Sequence, residues 1–189
     1  MDLKLKKPTL LLVDVQKAFL EDDYPGIKRN NHDAEIICGK ILEKWRENNF
    51  PVIHVRHSST DINSKLHESK PGFEFNENVL PKNNELVITK RVNSAFIGTD
   101  LKLILDKSQT EIIVIVGMTT NHCISSTVRM SGNYGYETYL ISDSTACFNS
   151  IGIDGEIIDC DLIYETSLAS IDNEFANVIN SNELIKMLK

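Results

Sequence analysis

The stretch Ile112-Ile113-Val114-Ile115-Val116-Gly117-Met118-Thr119-Thr120-Asn121-His122-Cys123 decides how the chain is read. Its opening run is short, unbroken and rich in β-branched side chains, which is the character of a strand buried on both faces. Leu10 to Val15, Val52 to Val55, Leu86 to Ile88 and Thr138 to Ile141 share that character, each bounded by turn or charged residues. Between them, Asp33 to Asn48 carries Ile36, Ile37, Ile41 and Trp45 at helical spacing. Asp100 to Lys107 follows a Thr99 N-cap, with Leu101, Ile104 and Leu105 directed inward. Farther on, Gly155 to Leu168 reads as a helix, Phe175 to Ile179 as a sixth strand, and Asn182 to Leu188 as a last helix capped by Ser181.

Strands that alternate with helices imply a parallel sheet, because each crossover lays a helix over one face. The expected architecture is an α/β fold: a three-layer, Rossmann-like sandwich around a mostly parallel six-stranded sheet, in a single domain over residues 1–189. A chain of this length buries roughly 70% of its unfolded surface. Its 41% hydrophobic and 25% charged residues are an ordinary globular composition.

The net charge of -7, with basic residues scattered apart from Lys4, Lys6 and Lys7, argues against a nucleic-acid partner. No apolar run approaches the roughly 20 residues that cross a bilayer. The apolar stretch near the N-terminus stops at Asp14, too soon for a signal sequence, so a cytoplasmic protein without a membrane partner is expected. Cys38, Cys123, Cys147 and Cys160 show no CxxC spacing and are expected as free thiols. Two longer connections, Phe19 to Asn31 with its Tyr24-Pro25-Gly26 turn signal and Ser58 to Asn84, have the length of loops that cover a site.

In open parallel sheets the ligand site lies beyond the carboxyl ends of the strands. Three polar residues stand there: Asp14 at the end of the first strand, Lys90 at the end of the third and Cys123 after the fourth. A carboxylate in an apolar run needs a partner or a shifted pKa. Taken singly, Asp14 reads equally as a loop cap, and Lys90 as a strand-end lysine reaching solvent. Cys123 is the stronger signal, because Thr119 to Asn121 offer N-caps and Ser125-Ser-Thr-Val-Arg-Met opens a helix. A thiol in a first helical turn is expected to have its pKa lowered by the dipole and a nearby lysine. Cys38, on the apolar face of a helix, and Cys147 and Cys160 are expected as incidental buried thiols.

These fragments together resemble the isochorismatase-like cysteine hydrolases, a superfamily that includes nicotinamidases and N-carbamoylsarcosine amidohydrolase. The resemblance is carried by Leu12-Val-Asp-Val-Gln-Lys-Ala-Phe19, by the segment from Lys90 through Ser94-Ala-Phe-Ile-Gly-Thr-Asp-Leu101, and by Gly117-Met-Thr-Thr-Asn-His-Cys123 with Thr127-Val-Arg129. Asp143-Ser-Thr-Ala146 and Ser167-Leu-Ala-Ser170 extend it into the C-terminal part. It implies Asp14 as general base, Lys90 as catalytic lysine and Cys123 as nucleophile. It also implies a cis peptide at Met118-Thr119 that aims the Thr119 and Cys123 N–H groups at one oxyanion. Family members are commonly dimers or tetramers, so a homo-oligomer acting on a small-molecule substrate is expected.

Some relatives bind a metal through Asp-x-His and a further His, a pattern absent here, so no metal and no cofactor are expected. His54 reads as a sheet-interior residue, while His57 and His67 read as loop residues. Phe19 and His57, at strand ends, are candidate substrate contacts. Arg129 is expected in a structural ion pair. The implied activity is hydrolysis of an amide or carbamoyl C–N bond. The alternatives are vinyl-ether hydrolysis of the isochorismatase type, a Cys-His hydrolase using His122 or His54, and an idle binding subunit.

Overall fold

The structure, a computed structural model, describes residues 3–20 and 28–189, so the Tyr24-Pro25-Gly26 signal lies outside the described residues. The sheet consists of β1 (Thr9–Val13), β2 (Val52–His57), β3 (Leu86–Lys90), β4 (Ile112–Met118), β5 (Glu137–Ala146) and, near the C-terminus, β8 (Asn177–Ile179). Their order is β3-β2-β1-β4-β5-β8, and every neighbouring pair is parallel. The helices are α1 (Ala34–Glu47), α2 (Leu101–Lys107), α3 (Ser125–Asn133), α4 (Cys160–Ala169) and α5 (Ser181–Met187).

Strand alternation divides the core in two. Leu10, Leu12, Val114 and Val116 face Cys38, Ile41, Leu42 and Trp45 of α1 and Leu184 of α5. Leu11, Val13, Ile113 and Ile115 face Leu101 and Leu105 of α2 and Val128 of α3. Both sheet faces are thus covered, and β1 and β4 are buried along their whole length. The buried stripe of α1 runs at i, i+3, i+4 and i+7 from Cys38, which leaves Ile36, one of the residues noted at helical spacing, outside it and 45% exposed.

Three local expectations shift. The segment from Gly155 is not yet helix: Gly155 has φ +86, and β7 (Ile157–Ile158) pairs back antiparallel on β6 (Ser150–Ile151). The helix starts at Cys160, after the Asp159 side chain has accepted the Asp161 N–H. Asn180, not Ser181, caps α5, in a capping box with Glu183, while Ser181 is tied to Asp143. Before α2, Asp100 occupies the cap position without a side-chain bond, and the neighbouring Thr99 hydroxyl accepts the Leu101 N–H at 3.3 Å.

Candidate active site

The chain runs from β1 outward to β2 and β3, then returns to β4 on the other side of β1. That reversal opens a crevice beyond the carboxyl ends of β1 and β4, where doubly wound sheets bind ligands. Asp14 is the first residue past β1, with φ +54 and its N–H bonded to the Val55 carbonyl. Cys123 lies in a single π-turn, Thr120–Ile124, that joins β4 to α3. Lys90 ends β3, two strands away from β1, opposite His57 of β2. Strands lie about 4.8 Å apart, so only a long side chain carries a charge from β3 past the end of β2 to β1.

Backbone approach at this point is close. Val13 pairs with Gly117, which has φ +130, and a Cβ there would meet the Val13 carbonyl oxygen at 1.9 Å. The next peptide, Met118-Thr119, is cis.

The Lys90 ammonium is the hub. Its Nζ donates to Asp14 Oδ2 at 2.5 Å, to Cys123 Sγ at 3.2 Å and to His57 Nδ1 at 3.2 Å. The side chains of Lys90 and Asp14 are fully buried, and Cys123 is 8% exposed. Asp14 Oδ1 has no hydrogen-bond partner among the described residues, although the Cys123 thiol acts on the same carboxyl. Asn93, in the segment after Lys90, brings its Oδ1 to 3.9 Å from Cys123 Sγ. Asp14, Lys90 and Cys123 therefore form a triad-like arrangement, with His57 and Asn93 beside it.

Burial pushes the Asp14 carboxyl above its usual range, and the Lys90 charge pulls it back. For Cys123 the expected lowering is reversed: burial first, then the Asp14 charge, drive the thiol up to about 12, and Lys90 only partly opposes them. The reason is position. The thiol is withdrawn from water, and regular α-helix begins only at Ser125, beyond it. Burial and then the Lys90 charge push His57 down to about 4.

Gln16 organises the surroundings. Its amide donates to the carbonyls of His57 and Phe73 and accepts the His57 N–H, locking β1, β2 and the long 58–84 connection together. Arg29 makes two bonds to Glu35 and donates to the Phe19 carbonyl, all of them buried. Phe19 thereby stands as one wall of a cavity of about 220 Å³ shared with Thr119, Asn121, His122 and Phe148. Gln16 was legible as part of Asp14-Val-Gln16, whereas Asn93 and Arg29 carried no signal of their own in the sequence.

The other histidines stand elsewhere. His122 is exposed and contacts Thr119 and Asn121, and His54 is buried against Glu85. His67 bonds Ser69 in the long connection. Arg129 contacts Ser125, Ser170 and the Phe175 ring, so polar and cation–π contacts stand where an ion pair was expected. Cys38, Cys147 and Cys160 are free and buried. Donor atoms of Asp14, His57 and Cys123 lie within 4.8 Å of one another, the spacing of a metal triad, but the Lys90 ammonium already contacts all three residues. A second such group, Asp159, Cys160 and Asp161, has Lys28 on both carboxylates. A larger cavity, about 560 Å³, lies at the opposite end of β2 and β3 among Arg46, Phe50, Lys82 and Glu85. It contains none of the triad residues, so size does not identify the reactive crevice. Among the described residues, no helix is long and apolar enough to cross a membrane.

A doubly wound α/β fold with a buried Asp–Lys–Cys cluster at its topological switch defines a hydrolase class. The Isochorismatase domain family matches residues 8–183, and the chain belongs to that family. The uncharacterized isochorismatase family protein YrdC of Bacillus subtilis is 45% identical over 180 residues, covering 95% of each chain. A hydrolase of the isochorismatase family from Chromobacterium violaceum has the same fold with a TM-score of 0.91 and 36% identity, covering 97% of this chain and 94% of its own. A more distant relative, the maleamate amidohydrolase of Pseudomonas putida, is 21% identical over 97% of this chain and 88% of its own.

Proposed function

We propose that this protein is a cysteine-dependent hydrolase that cleaves an amide or carbamoyl C–N bond of a small molecule through a covalent acyl-enzyme. One observation carries the reading: a single buried ammonium touches both a carboxylate and a thiol. Burial has raised the proton affinity of both acids, so the thiol holds its proton until a substrate arrives and the carboxylate is a competent base for it. The maleamate amidohydrolase relative, by its name an enzyme of amide hydrolysis, is consistent with this chemistry.

Attack forms a bond from Sγ to the carbonyl carbon as the thiol proton passes to Asp14. Lys90 holds the resulting charges together. Its three hydrogens are occupied at rest, so the carbonyl oxygen needs other donors, and the Thr119 and Cys123 N–H groups take that role. Collapse breaks the C–N bond while Asp14 returns its proton to the leaving amine. Water, activated by Asp14, then cleaves the thioester, releasing the acid and restoring the thiol. Phe19 and His57 are the proposed substrate contacts. The steps need no cofactor.

The test is a screen of small primary amides and carbamoyl compounds for ammonia release, run beside the Cys123→Ala protein. Release that requires Cys123 is expected. Turnover of vinyl ethers alone, or ammonia release that persists without Cys123, would overturn the reading.

A further inference from the structure

An ammonium donates three hydrogens and accepts none, and Lys90 directs its three at Asp14 Oδ2, Cys123 Sγ and His57 Nδ1. His57 Nδ1 is therefore an acceptor, which places the ring proton on Nε2. The ring is not needed to hold its strand. The His57 backbone is fixed on both sides by the Gln16 amide, and the following Ser58 N–H is bonded to the Lys90 carbonyl.

Asp14 and Lys90 are sealed off, whereas Cys123 is 8% exposed, His57 is half-buried and Asn93, in contact with the sulfur, is exposed. A ring nitrogen of His57 lies within 4.8 Å of Cys123 Sγ, so the ring is within reach of a short acyl group carried on that sulfur. With the ring held neutral by its surroundings, it offers a hydrogen bond without a charge.

We infer that His57 is a specificity-determining residue: Lys90 sets its tautomer, and its Nε2–H donates to a second oxygen, carbonyl or carboxylate, on the acyl part of the substrate. The substrate class is thus an amide whose acyl chain carries a further oxygen acceptor a few bonds from the scissile carbon. This inference rests on the reading of Cys123 as the nucleophile toward that carbon.

The test has two arms. In the first, two-bond proton–nitrogen correlation spectra of isotope-labelled protein report the tautomer directly, with no substrate present. The Nε2–H form is expected, and a proton on Nδ1 overturns the inference.

In the second arm, succinamate, succinamide and butyramide are titrated into the Cys123→Ser protein, which keeps an acceptor for Lys90 and slows turnover. These probes share a four-carbon chain and carry a second carboxylate, a second carbonyl and no second oxygen, respectively. Binding of at least one oxygen-bearing probe about tenfold tighter than butyramide is expected, the share of one hydrogen bond. Which of the two binds tighter separates anion from neutral recognition.

Adding His57→Asn keeps an acceptor near the Nδ1 position but removes the Nε2–H. It should abolish the tenfold preference, bringing the oxygen-bearing probes to the butyramide affinity of the same protein. Equal affinity for all three probes, failure of all three to bind, or a uniform loss in His57→Asn would overturn the inference. Ammonia release by the unsubstituted protein tests the amidase reading separately, so the two failures are distinguishable.

Discussion

Lys90 Nζ lies 2.5 Å from Asp14 Oδ2, and both side chains are wholly withdrawn from solvent. Neither charge has water as an alternative partner. Removing one of them should therefore cost more than removing both, because a buried charge without a partner is the expensive state. Lys90→Met is expected to lower unfolding stability by about 3–5 kcal/mol, and Asp14→Asn with Lys90→Met to recover most of it. Denaturant unfolding of the two proteins checks this. Equal stabilities would mean that the pair is not electrostatically coupled.

The same burial governs the thiol. Because Cys123 is pushed up to about 12, its alkylation by iodoacetamide should keep accelerating well above the ordinary thiol range. Asp14→Asn removes the second cause and should move the midpoint down, though not to an ordinary value, since burial is the larger cause. The sign for stability follows. A raised acid pKa stabilises the fold below the ordinary value of 9.0 and loses that contribution as pH climbs toward about 12. Cys123→Ala should flatten the stability profile across that window, and an unchanged profile counts against the assignment.

Groups that act as one unit lose activity non-additively. Cys123→Ala is expected to abolish hydrolysis with the fold intact, since a small side chain replaces a small one at the edge of the core. Asp14→Asn and Lys90→Ala should each lower the rate by orders of magnitude and add little to Cys123→Ala. Independent, multiplicative losses measured in the same ammonia assay would dissolve the triad.

Gly117 provides a purely structural check. Its φ of +130 and the Val13 carbonyl 1.9 Å from any added Cβ leave no room for alanine. Gly117→Ala should destabilise by more than about 2 kcal/mol. It should also disturb Asp14, which follows Val13 directly. A variant that unfolds like the parent would show that β1 and β4 can part without cost.

The strands, the burial of β1 and β4 and the placing of polar residues at the carboxyl ends were legible because each depends on local pattern. The edge strand β3, by contrast, leaves Leu86 40% and Val87 39% exposed, contrary to its buried reading. Aliphatic runs of strand length, with a polar residue after each, suffice to place Asp14, Lys90 and Cys123 at one edge of one sheet. Helix boundaries were less legible, as at Gly155 and Ser181, because capping is decided by which of several neighbouring polar groups finds the free N–H groups.

What the sequence by itself determined, then, is the alternation of the main strands and helices, the sheet, and the three polar residues at the carboxyl ends of its strands. What only the tertiary structure decided is how those residues charge one another. A helix-start cysteine near a lysine reads as an acidic thiol, yet enclosure and the Asp14 carboxylate make this one a weak acid. His57, Asn93 and Arg29 acquire their places only when β2, the 91–94 segment and the chain after Phe19 converge on the same crevice. Desolvation and Coulomb interactions depend on distances between residues far apart in the chain, and no local pattern of residue types encodes those distances.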